Sequence, residues 1–276
     1  MVPIPSKNSI YVVSIPLTTS SSFIYCNHRP LIQSRAPLVT KIETKAVNVA
    51  TIGWNKLTAS KLSVNVKIVE WVRKLLSTIP YEENCLRSFP NKQAMIREIN
   101  EESLHLLKPA EKDTQGFIHQ SDVKQLEIPN SQLKPIPLYH AKSQSPSAIL
   151  QELVQFRTNN YQKHKKGAIL CAVGIPLTLP FALVPVVPNV PGFYLAYRLY
   201  CHVKALMGIH NLDYLLKETH LRFTALPQID EAYKDTKEKL LISEEVITTL
   251  VDELSLPIKD DLTKAMIQTR RRLEGK

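Results

Sequence analysis

Glycine and cysteine are scarce in this sequence of 276 residues, and each shortage argues against a class of site. Only seven glycines are present, and no glycine-rich phosphate-binding loop, GxSxG or HExxH motif occurs. The four cysteines, Cys26, Cys85, Cys171 and Cys201, are far apart and form no CxxC pair, so neither a zinc site nor a disulfide framework is expected. The sequence therefore predicts a protein that is not an enzyme and holds no cofactor or metal.

Acidic residues are fewer than basic ones, 25 against 35, and the resulting net charge of +10 predicts an anionic partner. Nucleic acid is the first candidate, but the basic clusters are short (KHKK at 163–166 and RRR at 270–272). No zinc-finger, helix-turn-helix or RNP pattern accompanies them. An anionic membrane surface fits short basic clusters beside an apolar segment better.

Acidic residues are almost absent from residues 1–69, which carry eight lysines and arginines against Glu43 alone. This serine- and threonine-rich, basic composition is typical of organelle-targeting segments, and an ordinary basic domain edge would look the same. No secretory signal is present, because no basic start is followed by an unbroken apolar run.

The N-terminal half begins with two runs of β-branched and aromatic residues, Ile10–Ile15 and Phe23–Cys26, which predict a small antiparallel hairpin. Apolar residues then recur at three- and four-residue steps from Ile42 to Leu75, which predicts one or two helices ending before Pro80. From Ser121 to Pro146 the periodicity is lost and four prolines occur, as in a linker.

The C-terminal half is predicted to be helical, starting after Ser145, a possible cap, with Pro146 in the first turn. Three further helices are predicted at Leu199–Leu216, Asp230–Leu254 and Pro257–Leu273. The predicted domains are 1–115 (β-hairpin plus helices), 116–146 (linker), 147–216 (amphipathic helix and apolar segment) and 217–276 (amphipathic helices). The predicted fold class is mainly α with a small N-terminal β-hairpin.

Charge is entirely absent from residues 167–197, a run of 31 positions. A buried core segment of a folded domain is one interpretation. A bilayer segment is the other, and the length favours it, since about 20 helical residues span a hydrocarbon core of ~30 Å. The sequence therefore predicts an α-helical membrane protein.

Five prolines interrupt this apolar run, and each removes a helical hydrogen bond and frees the carbonyl four residues before it. Three of them, with an asparagine, predict the turn of a membrane hairpin: Pro185, Pro188, Asn189 and Pro191. The other predicted kinks are Pro176 and Pro180, and the carbonyls counted as freed are those of Ala172, Phe181, Val184 and Val187. A full crossing and a shallow hairpin both remain open.

Basic residues flank the run on both sides, which places both ends of a hairpin on one side of the membrane. These predicted anchors are Lys163, Lys165, Lys166, Arg198 and Lys204. Four of the seven glycines lie in or just beyond the run and would allow close helix approach: Gly167, Gly174, Gly192 and Gly208.

The segment PLTLPFALVPVVPNVPGFYLAYR (176–198), followed by HVKALMG (202–208) and LDYLL (212–216), resembles the mitochondrial potassium/proton exchange-related family. IPYEENCL and SFP, the latter at 88–90, support the resemblance in the N-terminal half. It covers roughly residues 10–115 and 147–270. The resemblance implies a mitochondrial inner-membrane protein and no catalytic residue.

Three functions remain open at this point. An accessory or regulatory subunit of potassium/proton exchange needs a contact with membrane lipid, and integral inner-membrane protein partners or self-association. The antiporter itself, as an oligomer, would bind potassium and protons, yet residues 167–197 contain no carboxylate to carry the proton. A membrane-associated scaffold without a transport role is the third. The nearest acidic residues are Glu152, Asp213 and Glu218.

Overall fold

The computed structural model describes residues 9–28, 45, 48, 51–90, 95, 98, 135–180, 190–217, 220–234 and 239–275. The chain divides into two compact units. The sheet unit consists of Met1–Arg29, Tyr81–Gln162 and Lys204–Lys276, and the helical unit consists of Pro30–Pro80 and Lys163–Val203.

The sheet unit contains four strands in the spatial order β2-β1-β3-β4. Their bounds are β1 Tyr11–Pro16, β2 Ser22–Asn27, β3 Ile136–His140 and β4 Leu221–Ala225. Strands β1 and β2 pair antiparallel with Ser14 opposite Ile24, whereas β3 runs parallel to both β1 and β4. The sheet is therefore mixed.

Helices are α1 Ser63–Ser77, α2 Tyr81–Ser88, α3 Pro146–Leu177, α4 Val190–Lys217, α5 Pro227–Ala232, α6 Glu244–Leu254 and α7 Lys259–Leu273. Residues 51–59 are also helical. Helix α3 begins where the sequence predicts, since the Ala148 amide donates to Ser145 Oγ at 3.2 Å. In α6 the Val246 amide donates to Ser243 Oγ at 3.3 Å, so that helix also begins with a side-chain cap.

Both faces of the sheet are covered by apolar cores. On one face Tyr11, Val13 and Ile15 of β1 belong to a core shared with α6 and α7. On the other face Val12 of β1 and Leu138 of β3 belong to a core shared with α3 and α4. All six residues of β1 are buried, because a strand covered on both faces has no exposed side.

The predicted fold class is wrong, although the N-terminal β-hairpin is confirmed by the pairing of β1 with β2. The hairpin is one edge of a four-stranded mixed sheet and not a small addition to a helical protein. The described helices also contain no segment long and apolar enough to cross a bilayer. In α3 the apolar part begins only after Lys166, and α4 contains Arg198 and Lys204.

Two further differences concern strands that the sequence analysis missed. Strand β3 lies inside the segment interpreted as a linker, so that interpretation is wrong for Ile136–His140. Strand β4 lies between two predicted helices, and the helix predicted over Asp230–Leu254 is interrupted between Ala232 and Glu244. The helix predicted over Pro257–Leu273 is confirmed by α7.

Candidate functional site

The part of α3 and α4 that lies in the helical unit forms a closely packed antiparallel pair, called here the α3–α4 pair (Lys163–Leu177 with Val190–Val203). A Cβ atom added at Gly167 would lie 2.5 Å from Nε2 of His202, and one added at Gly174 would lie 2.9 Å from Leu195. Gly167 faces His202, and Gly174, later in α3, faces Leu195, earlier in α4. The two helices therefore run in opposite directions. A larger residue at either position would displace the side chain of His202 or Leu195, so the two glycines permit this spacing.

Two buried histidines connect the helices of this pair. Nδ1 of His164 on α3 lies 2.9 Å from Nδ1 of His202 on α4, and the side chains are only 1% and 8% exposed. At this distance one of the two nitrogens carries a hydrogen and the other accepts it. The histidine pair therefore forms a buried hydrogen bond between the two helices.

Arg198 determines which histidine donates. Its guanidinium nitrogen Nη2 lies 3.3 Å from Nε2 of His202, and arginine can only donate. Nε2 of His202 is then the acceptor, which leaves Nδ1 of His202 as the donor of a hydrogen to Nδ1 of His164. A metal ion bound by both Nδ1 atoms would have to displace that hydrogen.

Exposed apolar side chains cover the outer surface of the α3–α4 pair. Leu170 and Leu177 on α3 are each 73% exposed, and Phe193 on α4 is 59% exposed. The other large ones are Ile169, Val173, Leu179, Tyr197, Tyr200 and Val203. Helix α1 adds Val64 and Trp71, and the ring of Trp71 lies 6.4 Å from that of Tyr194 on α4.

Basic residues lie at one end of this apolar surface. Lys163, Lys165 and Lys166 on α3 are all exposed and come directly before it, and Arg198 is half-buried on α4. Lys204 follows on α4, in the sheet unit. No acidic residue occurs from 163 to 203.

The predicted kink and turn residues are only partly within the described residues. Pro176 is in the last turn of α3, close to its end, and Pro180 follows in a short 3₁₀ turn. Ala172 is an exposed residue within α3, and Pro191 is the second residue of α4, where proline is tolerated. Outside the described residues lie Phe181, Val184, Pro185, Val187, Pro188 and Asn189.

The remaining two glycines of the predicted set lie on α4. Gly192 is buried in its first turn. Gly208 is in the sheet unit, where it faces the backbone carbonyl of Leu86 at the end of α2. Three residues further along α4, Asn211 is fully buried and donates from Nδ2 to the carbonyl of Pro90 at 2.8 Å. The sequence analysis missed Asn211, the histidine pair and its contact with Arg198.

The acidic residues that flank the α3–α4 pair take part in the sheet unit. Oε1 of Glu152 on α3 accepts the backbone N–H of Ser22 in β2 at 2.7 Å. Asp213 on α4 forms an ion pair with Arg157 on α3. Glu218 lies outside the described residues. Burial raises the pKa of the Glu152 carboxyl, and its hydrogen bonds with Ser22 lower the pKa by a smaller amount.

The raised pKa of Glu152 predicts a pH-dependent effect of Glu152→Gln. A carboxyl whose pKa is higher in the folded than in the unfolded state lowers stability as pH rises through the interval between the two values. Glutamine keeps an oxygen for the Ser22 N–H and has no charge to bury. We expect the variant's free energy of unfolding at pH 7 to equal or exceed that of the wild type, and the difference to shrink toward pH 4.

Urea denaturation across this pH range measures the difference. The control is Glu253→Gln, which removes an exposed carboxylate of α6. A Glu152→Gln variant that becomes less stable than the wild type as pH rises would contradict the assignment, because it would mean that the ionised form of Glu152 stabilises the fold.

Comparison with known proteins extends over most of the chain. The family model described as mitochondrial K⁺–H⁺ exchange-related matches residues 11–216. The uncharacterized protein YDL183C of Saccharomyces cerevisiae is 30% identical over 283 aligned residues, which cover 96% of this chain and 86% of the yeast protein. The uncharacterized protein C23H3.12c of Schizosaccharomyces pombe is 27% identical over 224 residues, which cover 81% and 82% of the two chains.

No solved structure matches the chain. The residues matched by the family model include strands β1, β2 and β3, the α3–α4 pair, and the segment of α4 that carries Gly208 and Asn211. The chain therefore belongs to the mitochondrial potassium/proton exchange-related family.

Proposed function

We propose that this protein is an accessory or regulatory component of mitochondrial potassium/proton exchange that works at the inner membrane and is not itself the carrier. The observation that carries the proposal is the position of the acidic residues. Glu152 and Asp213, which flank the α3–α4 pair, are bound to Ser22 and Arg157 within the sheet unit. The segment between 163 and 203 has no acidic residue at all.

A carrier that exchanges potassium for protons needs a group that binds the two cations in competition. Buried carboxylates, helped by backbone carbonyls, usually provide this in membrane transporters. The charged residues of the α3–α4 pair are instead all basic. The histidine pair is a poor potassium site, because Arg198 places a positive charge 3.3 Å from His202. These features support an accessory role over transport by this chain.

The acid-neutralising variants are expected to leave exchange largely intact. In mitochondria lacking the protein we expect potassium-driven proton flux to fall, and we expect it to return equally with the wild type, with Glu152→Gln and with Asp213→Asn. The flux is measured with a pH-sensitive dye after a potassium pulse. A matched control is Asp252→Asn on α6, an exposed carboxylate of the sheet unit.

Purified protein in potassium-loaded liposomes separates the remaining alternatives. We expect the purified chain alone to give no exchange. Exchange by the purified chain that is lost with Glu152→Gln or Asp213→Asn would overturn the proposal and make this chain the carrier. Unchanged flux in mitochondria lacking the protein would instead support a scaffold without a part in exchange.

A further inference from the structure

The net charge of the protein is confined to the helical unit. This unit, Pro30–Pro80 with Lys163–Val203, contains 12 lysines and arginines and two acidic residues, Glu43 and Glu70, which gives +10. The whole chain has 35 basic and 25 acidic residues, so the sheet unit has 23 of each and is neutral. A charge confined in this way produces a strong local potential that attracts anionic surfaces.

The same unit exposes an unusual amount of apolar surface. Nine large apolar side chains of the α3–α4 pair and its adjoining turn are at least 38% exposed, and Val64 and Trp71 of α1 add to them. Scattered exposed apolar residues are ordinary, but apolar side chains concentrated in one small unit mark an interaction surface. The surface therefore combines positive charge with apolar contact area.

The basic residues and the exposed apolar side chains lie at different positions along the helices. In the antiparallel α3–α4 pair, Lys163, Lys165 and Lys166 are near the end where His164 meets His202. The apolar side chains extend from there to Leu177 on α3 and Phe193 on α4. From Lys166 to Leu177 the helix rises by ~16 Å. That length corresponds to about one leaflet of a hydrocarbon core of ~30 Å.

The charge decides between possible occupants. A second copy of this unit would bring +10 against +10, which opposes self-association. Nucleic acid would satisfy the charge but would leave Leu170 and Leu177 in contact with water or phosphate. An anionic lipid bilayer offers phosphate groups to the lysines and acyl chains to the apolar side chains.

We infer that the helical unit binds the surface of an anionic bilayer peripherally, with its basic residues at the headgroups and the apolar side chains of the α3–α4 pair within one leaflet. This contact deepens the proposed function, on which it rests only for the choice of the inner membrane. The contact involves no crossing of the bilayer.

Vesicle flotation with the full-length protein tests the inference. We expect binding to phosphatidylcholine vesicles that contain cardiolipin, little binding to phosphatidylcholine alone, and weakening as KCl is raised. Each basic side chain near an anionic surface strengthens binding about fivefold. The triple variant K163Q, K165Q, K166Q should therefore bind roughly a hundredfold more weakly.

A matched triple variant in the sheet unit provides the control. Lys142, Arg270 and Arg271 are exposed like the three lysines, and K142Q, R270Q, R271Q removes the same charge. We expect this variant to bind as the wild type does. Equal losses in the two triple variants would overturn the inference, since the binding would then follow net charge alone. Binding to an acidic protein but not to the vesicles would overturn it as well.

Tryptophan fluorescence quenching tests separately whether the apolar side chains enter the leaflet. The only two tryptophans of the chain, Trp54 and Trp71, are in the helical unit, so their quenching by brominated acyl chains reports on that unit alone. We expect quenching with anionic vesicles and a marked loss of quenching in the double variant L170N, L177N. Vesicle binding without quenching would restrict the contact to headgroups. That result would overturn the claim that side chains enter the leaflet. Neither measurement depends on potassium flux, so failure here leaves the proposed function standing.

Discussion

Replacement of Gly208 by alanine is expected to destabilise the sheet unit strongly. A Cβ atom at this position would overlap the backbone carbonyl oxygen of Leu86 and would also crowd the Cβ of Phe89. The obstacle is backbone at the end of α2, which cannot rotate away as a flexible side chain would. We expect a loss of about 3 kcal/mol for alanine, and no folded protein for valine.

The matched control is Gly53→Ala. Gly53 is also helical, but no atom lies within 4 Å of a Cβ added there. Alanine should stabilise that helix by up to about 1 kcal/mol. Urea denaturation followed by circular dichroism measures both variants. If Gly208→Ala were as stable as the wild type, the packing of α4 against the end of α2 would be wrong.

Replacement of Asn211 by aspartate is the second change with a large expected effect. Asn211 is fully buried, and its Nδ2 donates to the carbonyl of Pro90 at 2.8 Å. Aspartate would bring a carboxylate against that carbonyl, so two acceptors would face each other and a charge would be buried without a donor. We expect a loss of about 3 kcal/mol or more at neutral pH.

The stability loss caused by Asn211→Asp should depend on pH. A protonated aspartic acid can donate to Pro90, so the loss should become smaller as pH falls. The control is Asn160→Asp: Asn160 is half-buried and bonds only to Phe156 of its own helix, and we expect a loss below about 1 kcal/mol. Equal losses in the two variants, or a loss at Asn211 that does not change with pH, would contradict the assigned hydrogen bond.

The local elements whose signal is continuous along the chain could be predicted from the sequence. The β-branched runs that became β1 and β2, the start of α3 after Ser145 and the helix α7 all follow from the order of neighbouring residues. The proline-rich segment 176–198, supported by HVKALMG at 202–208, was also sufficient to indicate the family.

Strands β3 and β4 could not be predicted, because each has only five residues and β3 contains Pro137. A proline within a short run usually indicates a loop. Here the run forms a strand because β1 and β4 supply parallel partners on both sides. By the difference of residue numbers, Val12 lies 126 residues before its partner Leu138, and Phe223 lies 85 residues after it. Partners so distant in sequence leave no local signal.

In the candidate site, too, the sequence determined the composition of the surface but not the contacts within it. Residues 167–197 carry no charge, so they had to form a large apolar surface, and their basic flanks placed positive charge next to it. The meeting of His164 with His202, the direction of their hydrogen bond and the contact of Gly208 with Leu86 were decided only by tertiary structure. Side chains 38 residues apart meet only once two helices have packed, and the spacing of residues along one chain does not contain that information.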